Sequence, residues 1–154
     1  MFQMFLIKEN KVMRMNKDLE KAIQLMKEKN ATLTLVLDNQ EEVLFDRGVK
    51  PLMMLLSRNI DYSKYCASDR VIGKAAALLY INLGIKNIYC ELISEKALQV
   101  FKNHNINITY DKVVPLILNR DKTGYCPMES LVLTIDDPKV AYEAIKNKII
   151  ELSK

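Results

Sequence analysis

An apolar segment that leads directly into a helix start is the feature that most constrains the fold of this chain. Residues 88–93 are apolar apart from Glu91, which is typical of a strand buried in a sheet. Ser94 then suits the N-cap of a helix in which Ala97, Leu98 and Phe101 share one face. A buried strand followed by an amphipathic helix is the repeating unit of α/β folds, so the sequence predicts that class.

Further elements are predicted before this unit. A helix begins near Asn16, and residues 31–37 and 43–45 form a hairpin around a turn at Asp38-Asn39. A buried helix is expected near Pro51, where residues 51–56 are apolar all round. Ser68 is predicted to cap the next helix, which ends at Gly84.

The remaining third of the chain predicts one extended region and two helices. The extended region covers residues 106–108 and 113–118, with an interruption at Asp111-Lys112 and an edge or bulge at Pro115. A short helix follows Cys126, and a final helix follows Asp137. The order predicts a three-layer α-β-α arrangement with a mixed sheet, in one domain that spans residues 1–154.

The first 15 residues and the overall charge restrict the location and the partners. Residues 1–7 are apolar but too short for a signal or membrane segment, so residues 1–15 are predicted to form an N-terminal arm or an edge strand. The net charge of +4 includes no polybasic block, and we therefore expect neither a nucleic-acid nor a membrane partner. Three widely spaced cysteines indicate a reducing, cytoplasmic location.

Four segments of the sequence carry a resemblance to a known fold. They are residues 47–52 (RGVKPL), 69–77 (DRVIGKAAA), 94–97 (SEKA), and 119–120 (NR) taken with 126–129 (CPME). With the order of elements, they resemble the cytidine-deaminase-like fold, and most closely a family of small prokaryotic domains without an assigned function. This resemblance implies a fold and a ligand-binding edge, but no particular reaction.

The resemblance implies a zinc-free branch of that fold. Zinc deaminases need His or Cys two residues before Glu on one helix, and Pro-Cys-x-x-Cys at the start of another. The helix starts predicted to correspond read Ser68-Asp69-Arg70 and Ser94-Glu95-Lys96-Ala97, and the single histidine is His104. We therefore expect no metal site and no cofactor.

A ligand site is predicted where helices begin and strands end. Helix N-termini offer free N–H groups, and cationic side chains beside them suit phosphate or carboxylate. The first hypothesis is an anionic small molecule that is nucleotide-like or bears phosphate, because five residues are expected at one edge: Arg47, Lys74, Ser94, Asn119 and Arg120. The alternative is that the arginines pair with neighbouring aspartates on the surface and Lys74 is solvated.

Two other functions are left open by the sequence. In an enzyme that works without metal, Cys126 would be the nucleophile, because a thiol at a helix N-terminus can be activated, and Glu129 or Asp69 would exchange protons. The alternative reading gives Cys126 and Glu129 structural roles at the helix start. In an assembly module, the hairpin edge or the Met-rich residues 53–56 would form a homodimer, although these residues also suit a core helix.

Overall fold

A five-stranded mixed sheet lies at the centre of the computed structural model, which describes residues 2–119, 121–124 and 126–154, with side chains described from Asn16 onward. The strands run in the spatial order β2-β1-β3-β4-β5. Their bounds are β1 Leu33–Leu37, β2 Gln40–Leu44, β3 Cys66–Ile72, β4 Asn87–Ser94 and β5 Asn107–Val114. The helices are α1 Phe2–Lys29, α2 Lys50–Ser57, α3 Lys74–Leu83, α4 Glu95–Asn103, α5 Pro127–Leu131 and α6 Pro138–Leu152.

Strand directions place one end of the sheet beside several helix starts. β1 is antiparallel to both β2 and β3, whereas β3, β4 and β5 are parallel to one another. Leu33, the first residue of β1, is therefore paired with Asp69 near the end of β3. The parallel strands require crossovers, which α3 and α4 supply.

The two faces of the sheet are covered by different helices. α1 packs on the face that carries Val36 and Tyr89, where Thr34 Oγ1 also donates a 2.6 Å hydrogen bond to the Ala22 carbonyl. The opposite face packs against α3 and α4 in the main core, and α2 and α6 contact α3 there. This arrangement gives an α/β fold with helices on both faces of a mixed sheet.

Several predicted elements are confirmed because their signals are local. The hairpin turns at Asp38, where φ is 53°. Ser94 caps α4 by accepting a hydrogen bond from the Ala97 N–H at 3.1 Å, and Asp137 caps α6 in the same way. Gly84 ends α3 with φ of 77°, a left-handed conformation that suits glycine.

The prediction that Ser68 caps a helix is wrong. Residues 66–72 form β3, which is paired on both sides, and α3 begins only after Gly73. Ser68 is buried, and its hydroxyl lies 3.3 Å from the Met26 sulfur of α1. The apolar residues Val71 and Ile72 fit the helical spacing of α3, so the sequence predicts a helix start that is too early. The polar residues of β3 find their partners only in the folded protein, so no local pattern marks them as a strand.

Two other boundaries differ from the predictions. β5 is continuous through Asp111 and Lys112, because an exposed edge strand tolerates charged side chains, and Asp111 accepts a hydrogen bond from the Tyr89 hydroxyl at 2.6 Å. α1 begins at Phe2, in place of the expected arm or edge strand, and Met1 lies outside the described residues. Among the described residues, no helix is both long and apolar enough to cross a membrane.

Candidate functional site

A cavity of about 810 Å³ lies at the carboxyl end of β3. The starts of α2, α3 and α5 meet around it, together with the loop after β2 and the segment after β5. Cavities of this size can enclose a small organic ligand. Ligands of open α/β sheets commonly bind at this end of the strands.

The walls of the cavity are mainly apolar. Several of these residues also belong to the buried core, so the walls are held in place by packing. Apolar walls favour a ligand that carries a ring or another hydrophobic group. The apolar lining residues are Leu33, Val49, Pro51, Leu52, Val71, Ala75, Ala76, Ile117, Leu118, Pro127 and Met128.

Asp69 is a carboxylate on the sheet side of the cavity. Its Oδ2 accepts a hydrogen bond from the Tyr80 hydroxyl at 2.6 Å, and its Oδ1 accepts one from the Arg70 N–H at 2.8 Å. Burial raises the pKa of Asp69 to about 6, although the bonds from Tyr80 and the backbone act in the opposite direction. Tyr80 is fully buried, and its own pKa is raised by burial and by the charge of Asp69.

Glu129 binds the N-terminus of a helix other than its own. Its Oε1 accepts the Lys74 N–H at 2.6 Å, and its Oε2 accepts the Ala75 N–H at 2.8 Å. A side chain on Gly73 would collide with this carboxylate, because a Cβ there would lie 2.6 Å from Glu129 Cδ. The glycine therefore leaves room for the Glu129 carboxylate at the start of α3.

Arg47 and Asn119, two of the five predicted ligand-binding residues, line the cavity. Arg47 is exposed and makes no ion pair with a described residue. Asn119 organises its own loop, since its side chain accepts the Thr123 N–H and donates to the Thr123 hydroxyl, both at 3.0 Å. Arg120 lies outside the described residues.

The other two predicted residues, Lys74 and Ser94, are not part of the cavity lining. The buried Lys74 ammonium lies 2.9 Å from Asp136 Oδ1 and 3.3 Å from the Leu133 carbonyl, so it fastens α3 to the segment before α6. Ser94 is buried and caps α4. Both residues lie at helix starts, and for that reason the sequence predicts them at the ligand edge of the sheet. The side chain at a helix start, however, need not point in the same direction as the N–H groups of that helix.

The three residues suggested for catalysis all line the cavity. Cys126 is half-buried at the N-cap of α5, and its side chain makes no capping bond. The other two cysteines are buried within strands; burial raises the pKa of Cys66 to about 11 and that of Cys90 further still. Within residues 16–119, 121–124 and 126–154, no three His, Cys, Asp or Glu side chains come together in a way that could hold a metal ion.

Sequence reasoning missed much of the acidic character of the cavity. Asp46 and Asp121 line it in addition to Asp69 and Glu129. The guanidinium of Arg70, a further lining residue, is bound elsewhere: it donates to Glu91 at 2.8 Å and to the carbonyls of Ala31 and Met26. The sequence holds one signal for the buried carboxylate of Asp69: Tyr80 is a polar aromatic residue in an apolar helix, and a buried tyrosine hydroxyl needs a hydrogen-bond partner.

The fold and the cavity define an α/β protein with a ligand-sized site at the carboxyl end of a mixed sheet. Residues 21–149 match the family described as TM1506, Domain of unknown function (DUF1893). The chain belongs to this family.

A solved structure shows the same architecture. The chain is similar to a DUF1893 family protein (TM1506) from Thermotoga maritima, with a TM-score of 0.80 and 27% sequence identity. The match covers 86% of this chain and 90% of the other. No curated protein matches the sequence.

Proposed function

We propose that the chain binds a small nucleotide-like molecule in the cavity beside β3. The observation that carries this proposal is the Asp69 carboxylate, which faces an apolar-walled cavity of about 810 Å³ and is fixed in position by Tyr80. A half-buried carboxylate can accept N–H groups from a ligand, as the edge of a nucleobase provides.

The rest of the ligand would contact the walls and the mouth of the cavity. Leu33, Leu52 and Ala75 offer apolar surface for a ring. Arg47 is the cationic lining residue with no ion pair among the described residues, so an anionic group such as phosphate would lie near it. Asp46 and Asp121 also line the cavity, and their carboxylates repel anions, so an anionic group depends on Arg47 for a cationic contact.

We also propose that the fold is related to that of cytidine deaminases, without their zinc site. An antiparallel hairpin beside three parallel strands supports the relationship, as does a cavity at the beginnings of several helices. The helix starts at this cavity are Lys50-Pro51, Gly73-Lys74 and Cys126-Pro127, and they contain neither of the zinc-binding patterns.

A thermal-shift panel of nucleosides and their 5′-monophosphates tests the binding proposal. A ligand at 100 times its Kd stabilises a protein by about 2.7 kcal/mol, which corresponds to roughly 5–10 °C for a chain of this size. We expect a monophosphate to raise the Tm more than its nucleoside. Arg47→Ala should remove this difference, whereas Asp69→Asn should weaken both responses.

Control variants make the panel decisive. Lys102→Ala removes an exposed cation from the last turn of α4 and should respond as the wild type. Arg120→Ala belongs in the same series, since Arg120 remains a predicted ligand residue. The proposal is wrong if no compound shifts the Tm, or if the Arg47 and Asp69 variants respond like Lys102→Ala.

A second candidate is an enzyme that needs no metal, because Cys126 and Asp69 line the same cavity. The sulfur of Cys126 would add to a C=O or C=N carbon of the ligand, the π electrons would move to the oxygen or nitrogen, and Asp69 or Glu129 would carry the thiol proton to that atom. Alkylation by iodoacetamide tests the nucleophile in the native protein, since Cys66 and Cys90 are buried and shielded from the reagent.

The enzyme hypothesis expects one thiol per chain to react at pH 7 faster than free cysteine does. Cys126→Ser should abolish this reaction and serves as the control for the two buried cysteines. A Cys126 thiol that reacts no faster than free cysteine would argue against a nucleophilic role.

A further inference from the structure

The carboxylate of Asp69 forms no ion pair with a cationic side chain in the described part of the chain. Glu91, by contrast, lies 2.8 Å from the guanidinium of Arg70. The groups that hold Asp69 are neutral, namely the Tyr80 hydroxyl and backbone N–H groups, of which that of Arg70 lies at 2.8 Å. The negative charge of this half-buried side chain is therefore available to N–H groups of a ligand.

Both oxygens of this carboxylate can accept a further hydrogen bond. Oδ2 accepts the Tyr80 hydroxyl at 2.6 Å and Oδ1 accepts the Arg70 N–H, whereas each carboxylate oxygen has two lone pairs. Tyr80 is fully buried and does not line the cavity, so its hydroxyl approaches Asp69 from the core side. A ligand in the cavity can therefore meet two adjacent acceptors, one on each oxygen.

Two adjacent acceptors match a ligand edge that carries two adjacent donors. Guanine has such an edge, because its ring N1–H lies beside the exocyclic 2-amino group. Adenine and neutral cytosine have a ring-nitrogen lone pair next to their amino group, and uracil has a carbonyl oxygen on either side of its N–H. A carboxylate repels these lone pairs, so the two oxygens of Asp69 disfavour the other bases.

We infer that the Asp69 carboxylate selects guanine nucleotides, by accepting both the N1–H and the 2-amino group of the base. This inference rests on the proposed function, because it names the base of a nucleotide that binds in the cavity. Leu33, Leu52 and Ala75 provide apolar surface for the purine ring. The phosphate depends on Arg47, as it does for any nucleotide in this cavity.

The 5′-monophosphates of guanosine and inosine test the inference as a matched pair, because inosine lacks only the 2-amino group. At about pH 8 the carboxylate is charged, since the pKa of Asp69 is about 6. Titration calorimetry of the wild type should give a Kd for the guanosine compound that is roughly 10- to 100-fold lower, because inosine forms one fewer hydrogen bond to a charged group. The monophosphates of adenosine, cytidine and uridine should also bind more weakly than that of guanosine.

Asp69→Asn should replace this preference by another. The Arg70 N–H requires an acceptor at the position of Oδ1, so we expect the amide oxygen there and the NH2 group at the position of Oδ2, where it donates to the Tyr80 oxygen and to the ligand. One acceptor beside one donor fits xanthine, whose N1–H lies beside a carbonyl in place of the 2-amino group. Xanthosine 5′-monophosphate should bind the variant more tightly than the wild type by about tenfold or more. A gain of binding cannot result from partial unfolding.

Glu143→Gln is the control for this change. It converts a carboxylate to an amide on the exposed side of α6, outside the cavity lining, and should keep the guanine preference of the wild type. The inference is overturned, and the proposed function stands, if nucleotides bind but the guanosine and inosine compounds differ by less than about threefold, or another base binds more tightly. An Asp69→Asn variant that binds the xanthosine compound no better than the wild type also overturns it. If no nucleotide binds, the proposed function is wrong, and so is the inference.

Discussion

Asp69 changes its charge in mildly acidic solution, and this should be visible in stability. Its pKa rises from 3.8 in the unfolded chain to about 6 in the folded protein, because burial disfavours the charged form. The folded state therefore binds a proton that the unfolded state has released. The resulting stabilisation is fully present below about pH 3.8 and is lost as the pH rises through about 6.

Comparison of the wild type with Asp69→Asn isolates this effect from other carboxylates. Asn cannot titrate, so the free energy of unfolding of the wild type should fall relative to the variant by on the order of 2 kcal/mol between about pH 4 and pH 7. Urea unfolding at a series of pH values measures the difference. If the free energies of unfolding of the two proteins change in parallel with pH, burial does not raise the pKa of Asp69.

Tyr80→Phe should move the same transition to higher pH. The Tyr80 hydroxyl donates to Asp69 and thereby favours the carboxylate form, so its removal raises the pKa of Asp69 further. NMR titration of the Asp69 carboxyl carbon measures the shift. Tyr110→Phe, on the partly exposed edge strand, is the matched control and should leave the Asp69 titration unchanged.

Ser94 acts at the level of an element, since it closes the start of α4. Ser94→Ala should lower the free energy of unfolding by about 1 kcal/mol through the loss of the N-cap bond. It should leave any ligand-induced Tm shift intact, because Ser94 does not line the cavity. Ser153→Ala, near the chain end, controls for removal of a hydroxyl. A smaller ligand-induced Tm shift in Ser94→Ala than in the wild type would indicate that Ser94 contributes to ligand binding.

Helices with local capping signals were predicted well, and elements that depend on distant partners were not. The starts of α4 and α6 follow from Ser94 and Asp137, whose oxygens bind N–H groups two or three residues ahead. The start of α3 depends on Glu129, which no local pattern connects with Gly73. β3 was missed because Arg70 finds its partners at Met26 on α1 and Glu91 on β4, both distant in sequence.

At the scale of the whole molecule, the sequence predicted which edge of the sheet holds the candidate site, but it did not predict the acidic charge of that site. The order of strands and helices indicates which ends of the elements meet, and Arg47, Asn119, Cys126, Glu129 and Asp69 do share one cavity. The direction of each side chain depends on tertiary packing, and so Lys74 and Ser94 turn away. The balance of charge also depends on Asp46 and Asp121, which lie in loops without a recognisable motif.

The assembly hypothesis remains a proposal, and the structure offers it little support at the hairpin edge. β2 carries Glu41 and Glu42, and charged side chains on an outer strand oppose pairing with a second sheet. Of residues 53–56, Leu55 is buried in the core and Met53 and Leu56 pack against it, while Met54 remains exposed.

Positions 73 and 129 are expected to vary together during selection. If both codons are randomised and folded proteins are recovered, glutamate at position 129 should be found almost exclusively with glycine at position 73. Larger residues at position 73 should appear only when position 129 carries a short side chain. Such a pairing in the recovered library would show that a side chain at position 73 and a carboxylate at position 129 compete for the same volume.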